Sequence, residues 1–290
     1  MISFSKYQGL GNDFLIIDGR TNEDYENIFS NTDLIKNICN RNFGIGSDGL
    51  ILIQKIEKYK DIRIRIFNSD GTEAEMCGNG VRCIAKHLYR NQFNDQVISY
   101  KLKTLAGVIN VKIEESKLFT VDMGTPSLNP LKIPTKLKIG KNNLPQGSVK
   151  INGEDFHVSS VGMGNPHLLI IVKSFDNLSL SNVGPLLERN EYFPSRTNVH
   201  FIKIINEQEI SIKVWERGAG ETLACGTGAC AALTSTYLQG LTDKKAKVNL
   251  PGGTLLINWP DISGPIFMTG PAEFVYNGMI TQEFINKISS

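Results

Sequence analysis

Cys77-Gly78-Asn79-Gly80 and Cys225-Gly226-Thr227-Gly228 each place a thiol directly before Gly-x-Gly and an apolar run. The glycines let the backbone turn tightly and bring N–H groups towards a ligand. A helix that begins there sets its positive end beside the thiol, which favours an anion, whether thiolate or bound carboxylate. A free thiol has a pKa of about 8.5, and each unit of lowering corresponds to roughly 1.4 kcal/mol of preference for the thiolate. Such a thiol can act as a base near neutral pH. Two of them facing one carbon can invert it: one removes a proton, and the other, still protonated, delivers one to the opposite face. The helix N-termini would hold the carboxylate on that carbon and stabilise the enolate-like charge that develops. No cofactor is required for this, and the sequence has no Gly-x-Gly-x-x-Gly after a strand and no Walker A loop.

The elements that must position the thiols are duplicated. At an offset of 148 residues, Ile62–Asn68 falls on Ile210–Glu216, Glu73 on Glu221 and Cys77 on Cys225. Each copy reads as an alternating strand, a polar turn, the Cys-Gly-x-Gly and a helix. Gly162-Met163-Gly164-Asn165 repeats Gly9-Leu10-Gly11-Asn12, so the duplication reaches beyond the cysteines. In the first half, strands are expected over 3–18 (interrupted at 9–13), 50–53, 62–67, 97–104, 107–113 and 117–122. A hairpin is expected over 57–61, and a helix over 31–40. Val81, Ile84, Ala85 and Leu88 give the first cysteine helix one apolar face, with His87 on its solvent side. The Gly- and Pro-rich stretch from Asp122 to Pro134 marks the domain boundary. Strands near 156–161, 167–173, 198–205 and 209–216 and a helix over 179–189 follow. A second cysteine helix over 226–239 is expected to stop at Gly240, and strands at 246–250, 253–259 and 266–275 close the chain.

The 290 residues, 41% hydrophobic and 21% charged with a net charge of +2, are ordinary for a globular protein with ample core. The charge gives no sign of a nucleic-acid partner, and no 18-residue apolar stretch spans a membrane. Five cysteines and no signal-peptide pattern suit a cytoplasmic protein with reduced thiols. Cys39, Cys83 and Cys230 read as small core residues. Zinc fits poorly: the cysteine spacings are not Cys-x-x-Cys, and no histidine pair stands nearby in sequence, so no metal is expected. Spacing alone leaves a disulfide between Cys77 and Cys225 open.

Asn68-x-Asp70-Gly71-Thr72, four residues, then Cys77-Gly78-Asn79-Gly80-x-Arg82 resembles the signature of the diaminopimelate epimerases. The resemblance extends through Gly9–Phe14, Gly44–Gly49, Gly162–His167, Arg196-Thr197-Asn198, Trp215–Gly218 and Ala224–Gly228. It implies Cys77 and Cys225 as the two acid/base residues, acting without pyridoxal phosphate. Gly78-Asn79 and Gly226-Thr227 would hold the reacting α-carboxylate. Asn12, Asn68, Asn165, Asn198, Glu216 and Arg217 would hold the distal amino-acid end, with His167 and Glu216 tuning the thiols. Gly49 stands where family members often carry Gln, and its counterpart is Asn198.

The implied fold is α+β: two pseudo-symmetric domains, 1–122 and 123–265, each a mixed sheet wrapped around its cysteine helix. A C-terminal strand near 266–290 would return to the first domain, and the active site would lie between the two. The implied activity interconverts LL- and meso-2,6-diaminopimelate, in lysine and peptidoglycan precursor synthesis. The family is usually a homodimer, with Tyr276 in a segment associated with that contact. A proline or hydroxyproline racemase is the alternative. It would leave Arg217 and the asparagines unexplained, and Asn79 stands where proline racemases tend to have His. A binding module that kept the fold but lost catalysis is disfavoured by the presence of both thiols.

Overall fold

The computed structural model describes residues 1–20, 22, 24–54, 61–91 and 97–289. The chain divides into two compact units, Met1–Val121 with Gly270–Ser290, and Asp122–Thr269. In chain order the first stretch holds β1 (Ile2–Gly9), β2 (Asn12–Asp18), α1 (Asp24–Ile28), α2 (Thr32–Cys39), β3 (Gly49–Gln54), β4 (Asp61–Asn68) and β5 (Glu73–Ala74). It continues with α3 (Gly78–Arg90), β6 (Ser99–Thr104), β7 (Gly107–Ile113) and β8 (Phe119–Asp122). Next come β9 (Lys138–Ile139), β10 (Pro145–Ile151), β11 (Glu154–Gly162), β12 (Pro166–Ile171), α4 (Leu180–Glu188), β13 (Asn198–Asn206) and β14 (Glu209–Glu216). Then follow β15 (Gly220–Thr222), α5 (Gly226–Leu238), β16 (Lys245–Leu250), β17 (Gly253–Asn258) and β18 (Phe267–Gly270). The chain returns to the first unit with β19 (Glu273–Ile280) and α6 (Gln282–Ser289).

The two sheets have one plan. In the first unit the strands lie in the order β19-β1-β2-β3-β4-β6-β7-β8, parallel at β2/β3 and β4/β6 and antiparallel elsewhere. In the second the order is β9-β10-β11-β12-β13-β14-β16-β17-β18, with the same two parallel pairings at β12/β13 and β14/β16. The fold is therefore α+β, a mixed sheet with few helices, built twice. The registers match as well: Phe14 pairs with Gly49 as His167 pairs with Asn198. In chain order, the partner of the unit's opening strand differs. β11 pairs with β10 just before it, whereas β1 pairs with β19 from the far end of the chain.

Each sheet is covered on both faces, which explains the unbroken apolar runs in β2 and β3. Leu15, Ile17, Leu50 and Leu52 pack with Leu34, Ile35 and Ile38 of α2. Leu168, Ile170, Val199 and Phe201 pack with Leu180 and Leu187 of α4. The opposite faces of the two sheets hold α3 and α5. Asn31 caps α2, its side chain accepting from the N–H groups of Asp33 and Leu34.

One expectation for α3 is corrected. His87 is not on a solvent face but 5% exposed, edge-on to the Tyr7 ring and 3.9 Å from Asp18 Oδ2. Arg82 is fully buried, and its Nε donates to the carbonyl of Pro271 at 3.0 Å. A helix enclosed by its sheet has no solvent face, so its polar residues must find partners inside. The single strand expected over 266–275 is two, β18 and β19, interrupted at Pro271, which has no N–H to give a ladder. Strands β9 and β10 and helix α6 were not legible; Pro145, Gln146 and Gly147 hide the alternation of β10. The hairpin expected over 57–61 lies, apart from Asp61, outside the described residues.

The end of α5 is a two-bond C-cap. Gly240, at φ +74°, donates to the Tyr237 carbonyl and Leu241 to the Thr236 carbonyl, both at 2.9 Å. Gly240 thus stands one residue beyond the cap, Gln239. Gly240→Ala forces a side chain into the left-handed region, and a loss of about 1–2 kcal/mol is expected in urea unfolding. An unchanged midpoint would show that the turn does not depend on that conformation.

Candidate active site

Both thiols are helix N-caps of nearly the same geometry. Cys77 (φ −140°, ψ 111°) precedes α3, and its Sγ accepts from the Gly80 N–H at 3.5 Å. Cys225 (φ −127°, ψ 104°) precedes α5, and its Sγ accepts from the Gly228 N–H at 3.4 Å. An extended N-cap whose side chain reaches back to the third helical N–H is the usual capping arrangement, here with sulfur in place of oxygen. The following helical turn directs its first N–H groups out of the helix end. Among the described residues none of the five cysteines is in a disulfide. Cys39, Cys83 and Cys230 are buried, as their core reading expects, and burial pushes the Cys83 thiol up to about 12.

Around Cys77 the first unit gathers Asn12 and Asn79. Asn79 Nδ2 donates to Asn12 Oδ1 at 3.1 Å, and the same oxygen lies 3.8 Å from Cys77 Sγ. Asn12 Nδ2 donates to Asp48 Oδ2 at 2.9 Å, and Asp48 is in turn held by Arg41 at 2.8 Å. Asn68 stands opposite Gly49 at the end of β4, where its Nδ2 donates to Thr72 Oγ1 at 3.0 Å across the turn. Gly49 is closed to a side chain: a Cβ would lie 2.4 Å from the Phe67 carbonyl oxygen and 3.1 Å from the Phe14 ring.

Around Cys225 the second unit gathers a larger set. Thr227 Oγ1 lies 3.6 Å from the Cys225 sulfur. Glu216 hydrogen-bonds the same thiol and accepts from Thr222 Oγ1 at 2.6 Å. Asn198 Nδ2 donates to the Pro166 carbonyl at 2.9 Å, while its Oδ1 accepts the Arg217 N–H at 3.0 Å. Arg217 is exposed, with Nη1 donating to the Ser195 carbonyl at 3.1 Å. His167 Nε2 lies 2.8 Å from Asn165 Oδ1, and its Nδ1 lies 2.9 Å from His200 Nε2.

Electrostatics separates the two imidazoles and Cys225 from ordinary values. Burial holds His167 well below the usual histidine range, helped by His200 and the Arg217 charge. Burial alone takes His200 down to about 3. Cys225, 4% exposed, is pushed well above the ordinary thiol range, first by burial and then by the Glu216 charge. It is a protonated thiol at neutral pH. Cys77 is only half-buried.

The sequence shows no histidine pair near the cysteines, yet the fold supplies one: ligand atoms of His167, His200 and Cys225 lie within 4.8 Å of one another. Both ring nitrogens of His167 are taken up by Asn165 and His200. The atoms left over, on His200 and Cys225, are fewer than the four that zinc takes in a structural site.

Three further residues escaped sequence reasoning. Glu188, buried at the end of α4, accepts from Trp215 Nε1 at 2.8 Å and from the Gly218 N–H at 3.2 Å, bracketing Glu216 and Arg217. Asp48 fixes Asn12, and His200 reaches His167. Glu188 and His200 carry no local signal, because each acts through a neighbouring strand or loop, whereas Asp48 lies within the Gly44–Gly49 motif.

The fold, a mixed sheet enclosing a central helix built twice, is one found among amino-acid racemases and epimerases. It is shared by a probable proline racemase from Agrobacterium radiobacter K84, with a TM-score of 0.67, 12% identity, and 97% and 93% of the two chains covered. A hydroxyproline epimerase from Agrobacterium vitis gives a TM-score of 0.65 at 11% identity, with 96% and 91% covered. Likeness at such identity speaks to the fold alone; sequence narrows the family. The family model for diaminopimelate epimerase matches residues 4–129 and 159–275. A diaminopimelate epimerase of Prochlorococcus marinus strain MIT 9313 is 49% identical over 282 residues, 97% of this chain and 93% of that one. This chain belongs to the diaminopimelate epimerase family.

The raised Cys225 pKa has a direct readout. In Cys77→Ala protein, alkylation of Cys225 by iodoacetamide, followed by mass spectrometry, is expected to rise with a midpoint above the ordinary thiol value of about 8.5. A midpoint at or below that value would contradict the burial argument.

Proposed function

We propose that this chain interconverts LL- and meso-2,6-diaminopimelate by two-base proton transfer, with Cys77 and Cys225 as the acid/base pair. The observation that carries the reading is the pair of equivalent thiol caps in unequal surroundings, one half-buried and one buried and protonated. In one direction Cys77 thiolate takes the proton from the α-carbon. Cys225 thiol then gives its proton to the opposite face, and the pair ends with Cys77 protonated and Cys225 as thiolate. The reverse reaction starts from that state. The α-carboxylate sits against Gly78-Asn79 and Gly226-Thr227, where helix-end N–H groups stabilise the enolate-like charge in place of an electron-sink cofactor. Glu216 and His167 set the proton affinity of Cys225.

The distal end, which carries both an ammonium and a carboxylate, needs acceptors and a cation. On this reading Asn12, Asn68, Asn165 and Asn198 would help hold it, Glu216 would supply an acceptor, and Arg217 would supply a planar guanidinium suited to a bidentate carboxylate contact. This charged end is what favours diaminopimelate over proline, whose ring has no second charge. The reaction belongs to lysine and peptidoglycan precursor synthesis in the cytoplasm. Among the described residues no helix is long and apolar enough to cross a membrane.

Homodimer formation is part of the same proposal. Strand β19 pairs with β1 alone among the described residues, and it exposes Val275, Tyr276 and Met279. A strand edge with exposed apolar side chains is a ready pairing surface.

Cys77→Ser and Cys225→Ser are each expected to lower kcat at least 100-fold while the circular dichroism spectrum is retained. Turnover within tenfold of the parent in either variant would exclude the two-thiol mechanism. Arg217→Met should raise KM for diaminopimelate about tenfold or more, and an unchanged KM would remove Arg217 from the distal site. In sedimentation analysis a dimer is expected for the parent and a monomer for Tyr276→Asp; a monomeric parent would refute the dimer.

A further inference from the structure

The two units differ most beneath the thiol-capped helices, where they should be alike. In the first unit the close contacts of Gly80 are apolar: a Cβ there would lie 3.0 Å from Ile51 and 3.6 Å from the Phe14 ring. Strand register makes His200 the counterpart of Ile51 and His167 the counterpart of Phe14. The second unit has therefore replaced an apolar pair by two buried imidazoles in contact with each other.

Their hydrogen bonds run in one direction. Asn165 Oδ1 can only accept, so His167 Nε2 must carry the proton of that bond. An uncharged His167 then offers a lone pair at Nδ1, and His200 Nε2 must be the donor to it. His200 Nδ1, buried and without a hydrogen-bond partner, is left as an acceptor. The opposite assignment would turn the Asn165 amide over and leave Nδ1–H of His200 as an orphan donor, the rarer and costlier defect. The low proton affinity of both rings keeps a second proton off this chain.

His200 is also held in place. A Cβ on Gly228 would lie 2.1 Å from its Cε1 and 2.8 Å from each ring nitrogen, so the ring edge is pressed against the first turn of α5. That same turn carries the Gly228 N–H that caps Cys225.

We propose that His200 is a positioning residue for this site: its Nε2–H fixes the tautomer of His167, which in turn holds the Asn165 amide and the imidazole beside Cys225 in one orientation. The proposal rests on the epimerase reading for its consequence, since Asn165 and Cys225 are placed there in substrate binding and proton transfer. The hydrogen-bond direction itself does not. With Ile at position 200, as the first unit has at its counterpart, His167 loses its donor and can carry its proton on Nδ1. Its Nε2 lone pair then faces Asn165 Oδ1, and the amide turns over.

The test combines spectroscopy and kinetics on the full chain. Nitrogen-15 NMR of histidine-labelled parent protein is expected to show the proton on Nε2 of both His167 and His200. A His167 proton on Nδ1 would overturn the proposal whether or not the protein is an epimerase. With diaminopimelate, H200I is expected to lose roughly 10- to 100-fold in kcat/KM with its fold retained, by analogy with loss of the hydrogen-bond partner that fixes the tautomer of a metal-ligating histidine. H200Q, which keeps an N–H donor near the position of Nε2, is expected to recover most of that loss. Parental kcat/KM in H200I, or H200Q no better than H200I, would overturn it. Should H200I fail to fold, the NMR assignment and H200Q measured against the parent decide: H200Q is expected within about tenfold of the parent, and a larger loss counts against the relay. A parent inactive on diaminopimelate would instead refute the epimerase reading and leave the NMR result standing.

Discussion

The structure depends on how closely each thiol-capped helix approaches the sheet beneath it. The third residue of each Cys-Gly-x-Gly is pressed onto that sheet, Gly80 over Ile51 and Gly228 over His200. A side chain at Gly228 would collide with the His200 ring and disturb the helix start and the cap bond that aims the sulfur. At Gly80, by contrast, the end of the Ile51 side chain would have to give way. On their other faces the same strands are covered by α2 or α4, so they are buried on both sides. Burial of nearly the whole of α3 and α5 follows. So does the need for internal partners for Arg82 and His87.

From one duplicated plan the chain has made two different thiols. Cys77 is half-buried among asparagines, while Cys225 is buried beside a carboxylate and two imidazoles of low proton affinity. Such asymmetry suits a reaction in which the two bases must hold one proton between them at the start of each turnover. Like-minded thiols would both be protonated or both ionised over most of the pH range, and neither state can invert a carbon. Position-specific replacement of an apolar pair by His167 and His200 is how one half of the duplication departs from the other.

Much of this was legible from residue types and spacing. The thiols, the 148-residue repeat and the asparagines are local patterns, and the strands with clear alternation follow from period alone. What escaped depends on register. His200 reads as a polar residue in an apolar strand until the pairing of β12 with β13 places it beside Leu169 and within reach of His167. Glu188 reads as a helix-end charge until Trp215 and Gly218 are brought to it. His87 was misplaced because periodicity assigns an apolar face without saying whether the opposite face is also covered. The family resemblance supplied roles for Asn198 and Arg217 that spacing alone could not, and the bond from the Arg217 N–H to Asn198 shows how the two are tied together.

The most direct measurement is solvent deuterium incorporation at the α-carbon of LL-diaminopimelate in heavy water, followed by mass spectrometry and chiral analysis, with proline run in parallel. Two-thiol inversion requires that the inverted product carry solvent deuterium, and the proposed distal contacts of Arg217 predict no exchange in proline. Inversion of proline would move the protein to the racemase branch of the fold. Absence of exchange with either substrate, from folded and reduced protein, would contradict epimerase activity itself.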